Sequence, residues 1–348
     1  MDRNNLKKLG VHHFAPYFLL KPSSLFISPT LRCNSRCSHC DVWKGKGDSI
    51  KELSYREWQK ILSDNFFKNI NALWLSGGEP TLRKDIPEIA VHAINSLPRL
   101  ESITLATNAF SPSLIKNFLQ RTLSVAGEKK KYIHLHISLD GPPIIHDTIR
   151  GIEGAFSSLQ KTVEFVKQLN EKYPLLGFSF NCVIQEKNLS FLEEIYNIAR
   201  RLGGNITFNL QETRKSFYHS ESIEQINGDD RKKIVGFLTS ILNDCDVFYR
   251  RHYETIICMM QGYPRPHHCE TLEATFYVDP DGAVYSCPVA YRNTKLNLLE
   301  VSPATAWKKL FELKKEIRKR YCPTCLLGCS FGEGLSITEL IKQYLMRG

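Results

Sequence analysis

The feature that most constrains the fold is a regular alternation of short β-rich runs with longer amphipathic segments over the first two thirds of the chain. The predicted strands cover residues 25–28, 72–76, 102–107, 133–139, 177–184 and 205–210. The helices predicted between them lie near residues 55–64, 85–96, 112–122, 154–170 and 190–202. Strands that alternate with helices pair in parallel through right-handed crossovers. The sequence therefore predicts an α/β fold, built either as an open doubly wound sheet or as a barrel or partial barrel.

Polar and glycine-rich motifs follow the first four predicted strands. CNSRCSHC (33–40) follows the first strand and GGEP (77–80) follows the second, while Asn108 and the pair Asp140-Gly141 follow the third and fourth. In both kinds of α/β sheet, ligands bind at the carboxyl ends of the strands. The sequence therefore predicts that these motifs meet on one rim of the sheet.

The first motif supplies Cys33, Cys37 and Cys40 within eight positions, with no fourth cysteine nearby. Tetrahedral structural zinc takes four protein ligands, so this local set is one ligand short. Thiolates also hold iron–sulfur clusters, and a 4Fe–4S cube held by three cysteines leaves one iron free to bind another molecule. The spacing therefore indicates a cluster whose open iron is a substrate site.

Six of the eleven cysteines lie in two tight groups, and the clustered cysteines are better explained as metal ligands than as disulfides. The start of the sequence lacks a signal peptide, and no apolar run approaches the ~18 residues that span a bilayer. We therefore expect a cytoplasmic protein without membrane contact, in which thiols stay reduced. The net charge of +10 is spread along the chain, so nucleic-acid binding is not expected.

The region after residue 215 has a different pattern. A helix is predicted over 231–244, and residues 274–287 are typical of a β-hairpin around a Pro-Asp-Gly turn. A polar amphipathic helix follows at 303–320. This region contains seven of the eleven cysteines, and five of them lie before, within and after the hairpin and the last helix, namely Cys269, Cys287, Cys322, Cys325 and Cys329.

The first two motifs together resemble the radical S-adenosylmethionine (SAM) superfamily. Cys33-x3-Cys37-x2-Cys40 after the first strand and Gly77-Gly78-Glu79-Pro80 after the second carry the resemblance, which covers roughly residues 22–212. It implies a partial (β/α)6 barrel of the TIM type, in which the open iron chelates the amino and carboxylate groups of SAM. The implied chemistry is reductive cleavage of SAM to methionine and a 5′-deoxyadenosyl radical, which abstracts hydrogen from a substrate.

The resemblance also implies SAM contacts for residues of this sequence. The GGEP motif corresponds to the segment that receives the methionine moiety, with backbone acceptors near its ammonium group. Asn108, Ser138 and Arg150 resemble positions that contact the ribose or the methionine carboxylate, and their side chains suit those groups. Asn181 or Val183 resembles a position beside the adenine.

The later cysteines resemble the SPASM/twitch extension of radical SAM enzymes, which holds auxiliary 4Fe–4S clusters. One auxiliary cluster, as in the shorter twitch form, suits the number of cysteines. We favour Cys269, Cys287, Cys322 and Cys325 as its ligands, with Cys329 as a spare or a substitute. Four thiolates also satisfy zinc, so a structural zinc site is the alternative for this set.

These resemblances divide the chain into four predicted parts. Residues 1–21 form a lead-in, 22–215 the radical SAM core barrel, 216–260 linker helices, and 261–340 a small cysteine-rich α+β extension. The cluster in the extension can accept an electron or pass one on, because hydrogen bonds and burial tune its reduction potential.

The expected function is that of a radical SAM oxidoreductase acting on a small molecule or a peptide, with an external electron donor such as a flavodoxin or ferredoxin. The hydrogen atom goes to the deoxyadenosyl radical, a proton to a base and an electron to the auxiliary cluster. The sequence identifies no residue as that base. About two dozen residues precede the first strand, too few for a leader-binding domain, which favours a small molecule. The alternative is a non-enzymatic iron–sulfur or zinc protein that binds RNA through a basic surface.

Overall fold

Eight strands form a single sheet in the part of the chain that the structure describes. The computed structural model describes residues 21–44, 50–219, 226–245, 247–266, 269 and 271–327. The order of the strands in the sheet is β6-β5-β4-β3-β2-β1-β7-β8. The strands are β1 (Ser24–Thr30), β2 (Ala72–Gly77), β3 (Ser102–Thr107), β4 (Tyr132–Ser138), β5 (Leu176–Ile184), β6 (Ile206–Leu210), β7 (Thr275–Val278) and β8 (Val284–Tyr285).

The first six strands run parallel and lie side by side in chain order. A doubly wound sheet reverses its strand order at a switch point, so the sequential order is that of a partial (β/α) barrel and confirms the predicted α/β fold. No helix in the described part of the chain is long and apolar enough to cross a bilayer. The helices are α1 (Tyr55–Leu62), α2 (Ile86–Ser96), α3 (Pro112–Glu128), α4 (Pro143–Arg150), α5 (Ala155–Lys172), α6 (Leu192–Arg201), α7 (Gly228–Ile241), α8 (Val247–Met260), α9 (Thr271–Ala274) and α10 (Pro303–Arg320).

One face of the sheet is buried under helices and the other face is concave. On β4, Ile133, Leu135 and Ile137 are buried, while the residues between them are partly exposed, as the two-residue period of a strand requires. Trp74 on β2 meets His136 on β4 edge-on, with ring centroids 5.7 Å apart. Because β3 lies between these two strands, this contact shows that the sheet curves around the face of His136.

The concave face has polar residues but no formal charge. The hydroxyl oxygen of Ser179 lies 2.8 Å from His134 Nε2 and 3.0 Å from His136 Nδ1. Burial lowers the pKa of both histidines to about 4, so both are neutral near pH 7. None of the eight described strands contains Asp, Glu, Lys or Arg. The interior wall that the strands form is therefore uncharged.

Several helices differ from the sequence expectation. Periodicity predicts neither α4 nor α8. The helix expected at 231–244 spans Gly228–Ile241 instead, because Asn227 Oδ1 accepts a hydrogen bond from Asp230 N at 2.9 Å and caps an earlier turn. The six strands of the barrel match their predicted spans to within two residues at either end.

The predicted hairpin is confirmed as β7 and β8, which pair antiparallel. Strand β7 also pairs in parallel with β1, from Ser24 to Ile27. Phe276 on β7 is fully buried, with ring centroids 5.3 Å from Phe67 and 5.9 Å from Trp307. The barrel and the predicted extension therefore share one sheet and one hydrophobic core.

We expect Phe276→Ala to lower the free energy of unfolding by about 3–5 kcal/mol, because it empties a buried aromatic site. Urea unfolding of the metal-free protein, followed by circular dichroism, should still show one transition, because β7 belongs to the core sheet. Leu299→Ala is the control, since this side chain is 57% exposed, and should change stability by less than about 0.5 kcal/mol. A separate early transition in Phe276→Ala would show that the extension unfolds by itself.

Candidate active site

The cysteine loop that follows β1 is anchored to the carboxyl end of α4. Arg36 N donates a hydrogen bond to Arg150 O at 2.8 Å, and Ser38 N donates to Ile149 O at 2.9 Å. Gly151 ends this helix with φ +64°, and a Cβ at this position would lie 2.7 Å from Arg36 O. Glycine is therefore needed here for both its backbone conformation and the close approach of the loop.

The side chain of Asn108, after β3, holds the cysteine loop from the other side. Asn108 Nδ2 donates to Asn34 Oδ1 at 2.7 Å and to Ser35 Oγ at 2.9 Å. Asn34 Nδ2 donates in turn to Ser111 Oγ at 3.2 Å. The amide of Asn108 thus supports the loop, and its contact with SAM stays a prediction.

The two glycines at the carboxyl end of β2 let this turn lie against the backbone that leads into the cysteine loop. A Cβ at Gly78 would lie 2.2 Å from Arg32 O, and one at Gly77 would lie 2.5 Å from Thr30 O. Gly77 also has φ +107°. Packing inside the protein therefore requires glycine at both positions, and the contact of this motif with SAM stays a prediction.

The carboxylate of Glu79 joins the ends of β2 and β3. It is 1% exposed and accepts hydrogen bonds from Thr107 Oγ1 at 3.0 Å, Asn108 N at 2.8 Å and Thr81 Oγ1 at 2.7 Å. Burial raises the pKa of Glu79, and these hydrogen bonds act in the opposite direction. Pro80 then opens a short 3-10 turn. Protein donors already occupy the carboxylate of Glu79. The predicted contact of the GGEP motif with SAM would therefore use the backbone of the motif.

Arg150 is buried beside the cysteine loop and keeps one donor unpaired. Its Nη1 lies 3.5 Å from Cys37 Sγ, and its Nη2 forms an ion pair with Asp140. Burial by itself would raise the pKa of Asp140, but Arg150 and other neighbours bring that pKa below its usual value. Arg150 Nε is buried and has no hydrogen-bond partner. This open donor suits a carboxylate.

The remaining predicted SAM contacts lie at the ends of β4 and β5. Ser138 is the last residue of β4 and stands in register with Asn181 on β5. Val183 N, two residues further on, donates to Asp140 Oδ1 at 2.8 Å. The buried ring of His39 from the cysteine loop lies here too, and burial lowers its pKa to about 4. The ends of β4 and β5 therefore place these predicted residues near the cysteine loop.

The three thiols of the loop fit a cluster with an open iron. Cys37 is buried, and Cys33 and Cys40 are partly buried. Burial raises the pKa of the Cys33 thiol to about 11, so a bound cation is needed to stabilise its thiolate. Three thiols on one loop, with Arg150 Nε open for a carboxylate, form a donor set that suits a 4Fe–4S cluster and SAM.

The second group of thiols shares one cavity next to α9 and α10. Burial raises the pKa of the Cys269 thiol to about 11 and that of Cys287 to about 12. Cys329 lies outside the described residues. The side chains that line the cavity include Arg265, Leu272, Ile317, Tyr321 and the four cysteines favoured from the sequence, Cys269, Cys287, Cys322 and Cys325. The fold therefore brings these four thiols together, while their role as ligands stays a prediction.

Both a zinc ion and a 4Fe–4S cluster take thiolate ligands. Within the described ranges, no three His, Cys, Asp or Glu side chains form a group that could hold a metal ion. The zinc site therefore stays the alternative to the cluster for these four cysteines.

A two-residue segment, Phe217 and Tyr218, connects the two cysteine sites, and no sequence motif marks it. Asp41, directly after the third cysteine of the loop, donates through its N–H to Tyr218 O at 2.7 Å. Phe217 N donates to the carbonyl of Pro288 at 2.9 Å, and Pro288 follows directly after an auxiliary cysteine. Backbone hydrogen bonds thus run from one site to the other through this segment.

Asp279 is a buried acid next to the Pro-Asp-Gly turn, and the sequence pattern predicts only the turn. Its Oδ2 accepts hydrogen bonds from Tyr291 OH at 2.7 Å and Arg292 Nε at 2.9 Å, while its buried Oδ1 has no partner. Burial raises its pKa to about 6. Tyr277, two residues earlier, contacts Phe26 at a centroid distance of 5.0 Å. Strand alternation therefore places Asp279 on the concave side of the rim.

Comparisons with known proteins identify relatives of this chain. Fe-coproporphyrin III synthase of Methanosarcina barkeri is 33% identical over 169 residues, which cover 49% of this chain and 39% of that protein. PqqA peptide cyclase of Rhodopseudomonas palustris is 27% identical over 182 residues, which cover 52% of this chain and 44% of that protein. The chain thus matches less than half the length of these two curated relatives.

The solved structure of native anSMEcpe with bound AdoMet and a peptide has a TM-score of 0.57 to this chain at 18% identity. The alignment covers 86% of this chain and 88% of that one. At this identity the likeness shows the fold alone. The model of the Radical SAM superfamily matches residues 27–205, just over half of the sequence, including the cysteine loop and the rim motifs. The chain therefore belongs to the radical SAM superfamily.

Proposed function

We propose that this chain is a radical SAM oxidoreductase that cleaves SAM and oxidises a small molecule or a peptide by two electrons. The observation that carries the proposal is the loop of Cys33, Cys37 and Cys40 at the rim, next to the unpartnered Nε of Arg150. When bound, the cluster supplies the electron that cleaves SAM to methionine and a 5′-deoxyadenosyl radical. These three cysteines would be its ligands.

The residues of the rim would bind and orient SAM. Arg150 Nε is placed to donate to the methionine carboxylate, and the backbone of the GGEP motif would accept from the ammonium. Ser138 and Asn108 would contact the ribose or the carboxylate, and Asn181 would lie near the adenine. Val183 is the second candidate for that last position.

Asp279 would accept the proton of the oxidation. In a two-electron oxidation, Asp279 Oδ1 would take the proton of the substrate, while bound SAM would supply the acceptor of a hydrogen atom and the auxiliary cluster would supply the acceptor of the remaining electron. A buried carboxyl with a pKa near 6 is ionised at pH 7 yet basic enough to take a proton. Tyr291 and Arg292 hold the other oxygen and so fix the carboxyl group in place.

Both classes of substrate have support among the relatives. One curated relative is named for a peptide and another for a porphyrin, and the solved neighbour contains a peptide. Membership of the superfamily favours an enzyme over a non-enzymatic RNA-binding protein. We further propose a core at 22–215, an auxiliary-cluster part at 261–340, a cytoplasmic location and an external one-electron donor such as a flavodoxin or ferredoxin.

Replacing Cys37 with alanine should abolish 5′-deoxyadenosine formation, because the cube loses one of its three ligands. With dithionite and SAM, the wild type should release 5′-deoxyadenosine, and its iron content should be about eight per chain, against about four in the variant. Chromatography of the products and an iron assay measure both. Cys258→Ala, a partly exposed cysteine of α8, is the control and should keep both properties. Persistent SAM cleavage in Cys37→Ala would refute the ligand assignment.

The double variant Cys322→Ala/Cys325→Ala should also fall to about four irons per chain, yet still cleave SAM, because the radical-forming cluster is bound elsewhere. Metal analysis and a 5′-deoxyadenosine assay on anaerobically reconstituted protein test this. Cys329→Ala should keep about eight irons if that cysteine is a spare. Loss of zinc rather than iron in the double variant would mean that the site is a structural clamp.

Asp279→Asn should alter the pH dependence of stability. Since the pKa of Asp279 is raised to about 6 in the folded chain, the folded state keeps a proton that the unfolded state has released between about pH 4 and 6. Wild-type stability should therefore fall, relative to the variant, as the pH rises through this window, by about 2–3 kcal/mol. Urea unfolding at pH 4.5 and 7.5 measures the difference. Equal pH dependence of both proteins would show that Asp279 has an ordinary pKa.

A further inference from the structure

Arg265 points its guanidinium into the cavity of the four auxiliary thiols and leaves two of its donors unpaired. Its Nη2 donates to the carbonyl of Cys325. Its Nε and Nη1 are both buried and have no hydrogen-bond partner among the described residues. The same side chain lines the cavity together with Cys269, Cys287 and Cys322.

Unpaired donors of a buried cation are costly, because a guanidinium stays charged and each N–H group has lost its water. Two other arginines near the cavity have protein acceptors for their guanidinium groups. Arg214 Nε donates to Glu212 at 2.8 Å, and its Nη1 donates to Tyr321 O and Thr324 Oγ1, both at 3.1 Å. Arg318 forms an ion pair with Glu273.

The side chains that line the cavity therefore indicate the chemistry of the group that it binds. A cation in a cavity is stabilised by a counter-charge, and buried N–H groups are stabilised by hydrogen-bond acceptors. Four cysteine thiolates around a 4Fe–4S cube carry net negative charge, and their sulfur atoms accept hydrogen bonds. The two free N–H groups of Arg265 suit this acceptor.

We propose that Arg265 donates Nε–H and Nη1–H to sulfur atoms of the auxiliary 4Fe–4S cluster and thereby raises its reduction potential. The inference rests on the proposed function, because it requires that cluster. Reduction adds one negative charge to the cube. A fixed cation and two N–H donors stabilise the reduced form more than the oxidised form, so the potential rises.

A higher potential makes the auxiliary cluster a better acceptor of the electron that leaves the substrate. Arg265 acts through the cluster and touches neither the substrate nor SAM in this scheme, so it is a positioning residue. The property that it sets is a potential, which can be measured without knowledge of the substrate.

The test is an anaerobic redox titration of reconstituted wild type, Arg265→Gln and Arg265→Lys, followed by electron paramagnetic resonance. In Arg265→Gln we expect the equilibrium constant for reduction of the auxiliary cluster to fall at least tenfold, which is 59 mV for one electron. Arg265→Lys should recover part of this shift, because it keeps the charge but not the planar fork. The potential of the other cluster in the same sample should not move.

Arg121→Gln is the control, because it removes an arginine charge on α3, where Arg121 is paired with Glu88. An unchanged auxiliary potential in Arg265→Gln, or an equal shift in Arg121→Gln, would overturn the proposal. If glutamine prevents cluster assembly, the lysine variant must still show a lowered potential, and an unchanged one overturns the proposal. A wild type with only about four irons would instead refute the auxiliary cluster itself.

Metal-free protein gives a second, independent readout. Without the cluster, Arg265→Gln loses one hydrogen bond to the carbonyl of Cys325 but also removes two buried donors without partners, so the urea midpoint of the metal-free protein should rise or stay unchanged. Arg214→Gln should lower that midpoint, because it breaks existing hydrogen bonds. A midpoint for Arg265→Gln as low as that of Arg214→Gln would show that Nε and Nη1 already have protein partners, and would overturn the proposal.

Discussion

The geometry of the rim depends on one buried carboxylate, that of Glu79. It receives hydrogen bonds from Thr107 and Asn108 at the end of β3, while the backbone N–H of Glu79 donates to Arg32 O at 2.9 Å. Three strand ends are therefore tied together at one residue. Asn108 in turn donates a hydrogen bond to Ser35 in the cysteine loop. The position of this loop therefore depends on contacts between protein groups.

Much of this could be predicted from the sequence, because a parallel sheet turns chain order into spatial order. Once the strands are recognised, their ends must share one rim, and the motifs after them must meet. What periodicity cannot show is the detailed use of each side chain. Glu79 and Asn108 are recognisable as site residues, yet their main hydrogen bonds are to protein groups, and only the three-dimensional contacts show this.

Sequence analysis does not identify Asp279 or Arg265, because each is a single side chain outside any motif or periodic pattern. Asp279 belongs to a turn in the sequence, and its burial depends on the pairing of β7 with β1, some 250 residues apart in the chain. Arg265 precedes a cysteine in a polar segment, and its unpaired donors become visible only when four distant thiols gather around it. The shared sheet and the contacts of Phe217 and Tyr218 also hold both cysteine sites in one fixed relation.

The uncharged strands have a consequence for what enters the barrel. A carboxylate or phosphate that moves past the rim would lose its hydration shell and find no counter-charge on the wall, which costs several kcal/mol per ion. A neutral group with an aromatic or amide character loses little, because Trp74, Ser179 and the neutral histidines offer contacts and hydrogen bonds in return. An uncharged group therefore enters the space beside the described strands at a lower cost in free energy than a carboxylate or a phosphate does.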